Sequence, residues 1–97
     1  MYILDKSIVF RHIVLEVSKM ISPMLCRAAR GLLDWSQQDL ADRAKVGIVT
    51  VRQLEAGSHE PRRSTLQVVR MAFEAAGVEF IEENGGGPGV RLRKPTL

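Results

Sequence analysis

Apolar side chains recur at three- and four-residue intervals along most of the chain, which is the spacing of amphipathic helices. Residues 1–21 follow this spacing and favour a helix, although their many β-branched residues leave a strand open. Pro23 then marks a boundary and suits the first turn of a helix, which the pattern predicts over residues 24–33. The expected inner face of that helix is Leu25, Ala28, Ala29, Leu32 and Leu33.

A strong helix-start signal follows. Ser36 is a good N-cap residue, and Asp39 three positions later resembles the second half of a capping box. The signal predicts a helix over residues 37–44. Trp35 and Leu40 stand at the positions of a hydrophobic staple, which would fix the entry of the chain into this helix.

Two more helices are predicted after a three-residue turn. The first covers residues 48–56 and ends at Gly57, a residue typical of helix C-termini. Ser64 with Gln67 resembles a second capping box, which predicts a helix over residues 65–76. The apolar stripe of that helix is Leu66, Val69, Phe73 and Ala76.

The C-terminal segment changes from helical spacing to alternation. Residues 78–83 and 89–94 alternate apolar and polar side chains around a glycine-rich tip, which predicts a β-hairpin. The expected fold is therefore mainly α, a helical bundle with an appended hairpin. The chain is therefore expected to divide into three segments: residues 1–21 as an N-terminal extension, 22–77 as the helical domain, and 78–97 as the hairpin and tail.

Composition narrows the class of protein. A chain of 97 residues with a formal charge of +3 fits one basic domain. The single cysteine, Cys26, excludes an intrachain disulfide and is expected to be buried; with no secretory segment, the chain is expected to be cytoplasmic. Residues 1–21 are interrupted by charges and do not predict a membrane span. His12 and His59 are isolated, so no metal site is expected, and no catalytic constellation or cofactor loop indicates an enzyme.

The two short central helices have the spacing of a helix-turn-helix. Val51 and Leu54 point from the second helix toward the core, and the small Ala41 allows the two helices to approach closely. The side chains left on the outward face of the second helix are Ile48, Val49, Arg52 and Gln53.

The residues that carry the motif resemble a known family. Ser36 to Ala41, then Val46, residues 50–55, Gly57 and Pro61, are similar to the helix-turn-helix of Cro/CI-type repressors, and the likeness covers about residues 24–77. The resemblance implies that the second helix enters the DNA major groove. In this chain the reading residues would be Ile48, Val49, Thr50, Arg52 and Gln53.

The resemblance also implies supporting roles. Gln37 would bind a phosphate and brace the second helix, and Arg30 would pair with Glu55 to lock the opening helix to it. Further phosphate contacts are expected from Lys45, Arg62 and Arg63. Lys45 stands where the family usually has glycine, so a left-handed backbone there would be strained.

These features predict a transcriptional repressor that binds palindromic DNA as a homodimer and needs no cofactor. Residues 1–21 or the hairpin would supply the dimer surface. A simpler interpretation of residues 1–21 is an artefact of the chosen translation start, because Met20 and Met24 lie just before the helical domain. The alternative function is an antitoxin or protein-interaction module that masks a toxin-like partner, and an enzyme is the third interpretation.

Overall fold

The structure, a computed structural model, describes residues 21–94. Within this range four helices precede two strands: α1 Pro23–Leu33, α2 Gln37–Ala44, α3 Ile48–Ala56, α4 Arg63–Ala75, β1 Val78–Ile81 and β2 Gly89–Leu92. The mainly α fold with a C-terminal hairpin is therefore confirmed. The helix expected in residues 1–21 falls outside the described residues, except for Ile21, which is buried and non-helical.

Helix α1 begins where local chemistry favours it but turns a different face inward. Ser22 is the N-cap and accepts a hydrogen bond from the Leu25 N–H at 3.2 Å, and Pro23 occupies the first turn. The expected inner face is wrong in part, because Ala28 and Leu32 are exposed. Cys26 is fully buried, as expected. The buried residues of α1 are Cys26 and Ala29, and Leu25 and Leu33 are partly buried against the core.

Helix α2 has the predicted bounds and start. The Ser36 side chain accepts from the Asp39 N–H at 3.0 Å, and the Asp39 carboxylate accepts from the Ser36 N–H at 2.8 Å. This reciprocal capping box is confirmed. Trp35 packs on the core and stacks on Phe73 of α4, with ring centroids 5.7 Å apart. The aromatic contact ties the start of α2 to α4.

Helix α4 starts earlier than its sequence predicts. The N-cap is Arg62, whose side chain makes no capping hydrogen bond, and the expected box of Ser64 with Gln67 is wrong. Ser64 lies inside the first turn and is exposed. The first helical hydrogen bond joins the Leu66 N–H to the Arg62 carbonyl at 3.1 Å. Ser64 is therefore already a helical residue of the first turn and does not occupy the N-cap position from which its hydroxyl could accept a hydrogen bond.

The hairpin closes the core on the other side. β1 and β2 are antiparallel, with Val78 opposite Leu92 and Phe80 opposite Val90, and both strands are shorter than predicted. Val78 is buried, and Phe80 packs edge-on against Phe73 with centroids 6.3 Å apart. These contacts join the hairpin to α4 and give the two-stranded sheet the apolar support that an isolated hairpin lacks.

Candidate nucleic-acid interface

Helix α3 presents one face to the core and the other to solvent. Val51 is fully buried and Leu54 is 3% exposed, and both pack among α1 and α2. Val49 is 58% exposed, and Arg52 and Gln53 are also exposed. We call Val49, Arg52 and Gln53 the readout face. Its side chains lie together because helical positions three and four residues apart share a side.

Two of the five expected reading residues do not belong to this face in full. Ile48 is only partly exposed and packs against the hydrophobic core, which corrects the expectation that it points outward. Thr50 is also half-buried. Ile48 is the first residue of α3, and its aliphatic side chain packs against the core there. Burial of that apolar area is favourable, and this explains its position.

The C-terminal end of α3 is held by a hydrogen-bond network centred on Glu55. This carboxylate is buried, and Arg30 of α1 contacts both of its oxygens, through Nε at 2.6 Å and Nη2 at 2.7 Å. Gln37 of α2 donates from Nε2 to Oε1 at 3.0 Å, and Cys26 donates from Sγ to Oε2 at 3.2 Å. One acidic side chain of α3 therefore receives donors from both neighbouring helices. We call Cys26, Arg30, Gln37 and Glu55 the anchor.

The charge states in the anchor follow from its geometry. Burial alone would raise the pKa of Glu55, but hydrogen bonds from Arg30, Gln37 and Cys26 outweigh it and lower that pKa. Burial, reinforced by the neighbouring Glu55, raises the pKa of the Cys26 thiol well above its usual range. The carboxyl group is therefore ionised and the thiol protonated at neutral pH. This is the combination in which Cys26 donates and Glu55 accepts.

The expected pairing of Arg30 with Glu55 is present in the structure, and Gln37 lies on the same carboxylate, where it braces α3. Cys26 and Arg27 were missed by sequence reasoning; Arg27 donates to the backbone carbonyl of Glu55. A usable signal existed, because Cys26 and Arg30 are four residues apart and share a helix face.

The remaining basic residues flank α3 along the chain. Lys45 ends α2 in the left-handed conformation, with φ of 57°, and is exposed in the turn before α3. Arg62 and Arg63 are exposed at the start of α4, after the loop that follows α3. Within residues 21–94, the side chains of Lys45, Arg52, Arg62 and Arg63 make no hydrogen bond or ion pair. Their charges are open to an anionic partner.

Gly57 ends α3 beside the start of α1. It caps the helix with φ of 68°, a conformation that side chains with a Cβ rarely adopt. A Cβ added there would lie 3.6 Å from the ring of Pro23, at the start of α1. The chain can therefore turn away from α3 while staying in contact with α1.

In the described part of the chain, no group of three or more His, Cys, Asp or Glu side chains could hold a metal ion. None of the helices there has the length and apolar character that crossing a membrane requires.

Comparison with known proteins gives the family in which this arrangement of helices occurs. A family model described as Helix-turn-helix matches residues 27–74, which include the whole readout face and every anchor residue except Cys26. No curated protein matches the chain. With α2, the turn and α3 all inside the matched range, the chain belongs to the Cro/CI-type helix-turn-helix family of DNA-binding transcription regulators.

Proposed function

We propose that this protein is a sequence-specific repressor that binds palindromic operator DNA as a homodimer, through the readout face of α3. The observation that carries the proposal is the contrast between the two sides of α3. Val49, Arg52 and Gln53 project outward, whereas Glu55 is held inside by two other helices. A rigid helix with free polar ends on one side is the form that fits a major groove.

Each readout residue has a matching base chemistry. Arg52 can give two hydrogen bonds to the O6 and N7 of guanine, and Gln53 can make a paired contact with adenine. Val49 is suited to the methyl group of thymine. Ile48 and Thr50, being half-buried, would contribute at the edge of the reading surface.

Phosphate contacts would orient the domain on the duplex. Lys45 is exposed before α3 in the chain and Arg62 and Arg63 are exposed after it, and they supply positive charge for this purpose. Gln37 has its amide nitrogen on Glu55 and is half-buried, so it would bind a phosphate while bracing α3. These contacts would set affinity and orientation, and the readout face would set the sequence.

The experiment is selection of bound sequences from random DNA, followed by titration of Arg52→Ala on the selected site. Selection should give a palindrome with half-sites about one helical turn apart. Arg52→Ala should lose about 1–3 kcal/mol of discrimination at one base pair in each half-site. Arg62→Ala is the matched control and should weaken all sequences alike, with a shallower salt dependence. Unchanged sequence preference in Arg52→Ala would contradict the assignment.

A second candidate function is an antitoxin or interaction module with a toxin-like partner. The observation that favours it is an apolar pair on α4, where Met71 is 57% exposed and Val68 is 39% exposed. Neighbouring apolar side chains that are exposed in this way are suited to contact with a partner protein. Failure of the pure protein to enrich any sequence from random DNA would favour this function over the first.

A further inference from the structure

The C-terminal turn of α3 is completed by a residue of another helix. The Gly57 N–H donates to the carbonyls of Gln53 and Leu54, at 3.1 and 3.3 Å, and the next carbonyl along the chain is that of Glu55. This carbonyl accepts a hydrogen bond from Nη1 of Arg27, on α1. The last turn of α3 contains no basic residue of its own. Arg27 therefore supplies the positive charge that the C-terminal end of a helix favours.

Glu55 is held by α1 at two places. Arg30 contacts both carboxylate oxygens, at 2.6 and 2.7 Å, whereas Arg27 contacts the backbone carbonyl. The carboxylate lies at the end of a side chain with several rotatable bonds, so the Arg30 pair alone would let the backbone of α3 shift while the carboxylate stayed in place. Such a shift stretches the Arg27 contact. The two contacts together fix the backbone of α3 as well as its acidic side chain.

The position of this backbone matters because Arg52 leaves the same helix less than one turn earlier. Arg52 is exposed and lies three residues before Glu55, about 4.5 Å along the axis at the rise of a helix. Over so short a distance α3 moves as a rigid rod. Hydrogen bonds from nitrogen to oxygen are well made only between about 2.7 and 3.2 Å, so a displacement of about 0.5 Å disturbs a paired contact to a base.

Arg27 differs from the basic residues to which phosphate contacts are assigned. The side chains of Lys45, Arg62 and Arg63 make no hydrogen bond or ion pair with the part of the chain that the structure describes. Arg27 is exposed like them, but its guanidinium is already engaged with the end of α3. Its geometry is therefore that of a group that holds the recognition helix.

We propose that Arg27 is a positioning residue for base reading, which places α3 through the Glu55 backbone carbonyl and so aligns Arg52 with its base pair. The inference rests on the proposed function, in which Arg52 reads a base. It assigns to Arg27 an effect on sequence discrimination and not on general affinity for DNA.

The first test measures discrimination in Arg27→Met and Arg27→Lys by fluorescence anisotropy. Both replacements are good helix formers, but methionine removes the donor, whereas lysine keeps a charged donor for the carbonyl. The probes are the duplex selected by the wild type and the same duplex with the base pair read by Arg52 replaced. The ratio of the two Kd values should fall about three- to tenfold in Arg27→Met, and stay within about twofold of wild type in Arg27→Lys.

A purely structural role and a phosphate contact give different results. Circular dichroism establishes that each variant is folded at the assay temperature, and a folded Arg27→Met with the wild-type ratio overturns the proposal. Weaker binding of Arg27→Met to every duplex alike, with a shallower salt dependence, also overturns it, because that is the pattern of a lost phosphate contact. Arg27→Gln is a second loss variant. Its shorter side chain ends before the carbonyl, so its ratio should match that of Arg27→Met.

A double variant tests whether the effect passes through Arg52. Arg27→Met should weaken binding to the selected duplex in the wild-type background, but by less than about twofold when added to Arg52→Ala, where the aligned contact is already absent. Equal losses in the two backgrounds overturn the proposal.

Failure of this inference is distinguishable from failure of the proposed function. A wild type that does not discriminate between the two duplexes overturns the proposed function, and this inference with it. Discrimination that is lost in Arg52→Ala but kept in Arg27→Met overturns this inference alone.

Discussion

Replacing Glu55 by glutamine should destabilise the fold strongly, although the two side chains have nearly the same shape. The carboxylate side chain is 3% exposed, and Arg30 donates to both of its oxygens. Whichever way the new amide turns, its NH₂ group faces a donor of Arg30. On the Oε1 side it also faces Gln37, and on the Oε2 side it faces Cys26. No orientation of glutamine satisfies the anchor.

The magnitude follows from burial. Removing one partner of a buried ion pair costs about 3–5 kcal/mol, because the other charge stays buried and unpaired. The Arg30 side chain is 20% exposed and keeps some water, so we expect the lower end, about 3 kcal/mol. At about 4–8 °C per kcal/mol for a domain of this size, Tm should fall by about 12–24 °C.

The assay is thermal and urea unfolding at pH 7, followed by circular dichroism. Glu79→Gln is the matched control, because Glu79 pairs with Arg91 at 3.0 Å on the exposed face of the hairpin, where water can replace the partner. The control should change the unfolding midpoint little. A loss below about 1 kcal/mol in Glu55→Gln would refute the reasoning, since it would mean that Arg30 relaxes into solvent at little cost.

Three further predictions concern the same elements. The pKa of Glu55 is lowered from 4.5 in the folded state, so the stability that this carboxylate contributes is complete above that value and is lost as the pH falls through the folded pKa. The urea midpoint of the wild type should therefore fall on acidification below about pH 4.5, and the midpoint of Glu55→Gln should fall less. Lys45→Gly should raise the free energy of unfolding by about 1 kcal/mol, because it relieves the backbone strain of a left-handed lysine, and it should weaken DNA binding in a gel shift. Asp34→Gly is the control: it relieves the same strain at φ of 55° and should leave DNA binding unchanged. Ser36→Ala should cost about 1 kcal/mol in urea unfolding, whereas Ser64→Ala should lie within about 0.5 kcal/mol of wild type; equal losses would contradict the absence of a Ser64 cap.

The parts of the fold that sequence predicted are those set by local chemistry. Three such signals act within a few residues and can be recognised in a single sequence: the capping box at Ser36, the glycine after α3 and the glycine-rich tip of the hairpin. The capping box at Ser64 failed because α4 begins before it. The Leu66 N–H bonds the Arg62 carbonyl, so Ser64 is already in the first turn and cannot act as the N-cap.

The candidate site shows the same division. Exposure of Arg52 and Gln53 follows from helical spacing alone, since Val51 and Leu54 must point inward. Ile48 was placed outward by the same rule and is half-buried, because the first turn of a helix borders a loop whose packing the spacing does not encode. Cys26 was expected to be buried, but its hydrogen bond to Glu55 depends on how α1 lies against α3, which is a property of the assembled bundle.

The anchor explains how a short helix can read DNA. A helix of nine residues has little stability of its own, so α3 is held by its contacts with α1 and α2. The apolar contacts of Val51 and Leu54 bury area but are not directional, and they would tolerate small rotations of α3. A bidentate contact to Glu55 is directional and fixes rotation about the helix axis. Arg52 lies three residues before Glu55, about 60° away around the helix, so the orientation of the carboxylate sets the direction in which Arg52 leaves the surface.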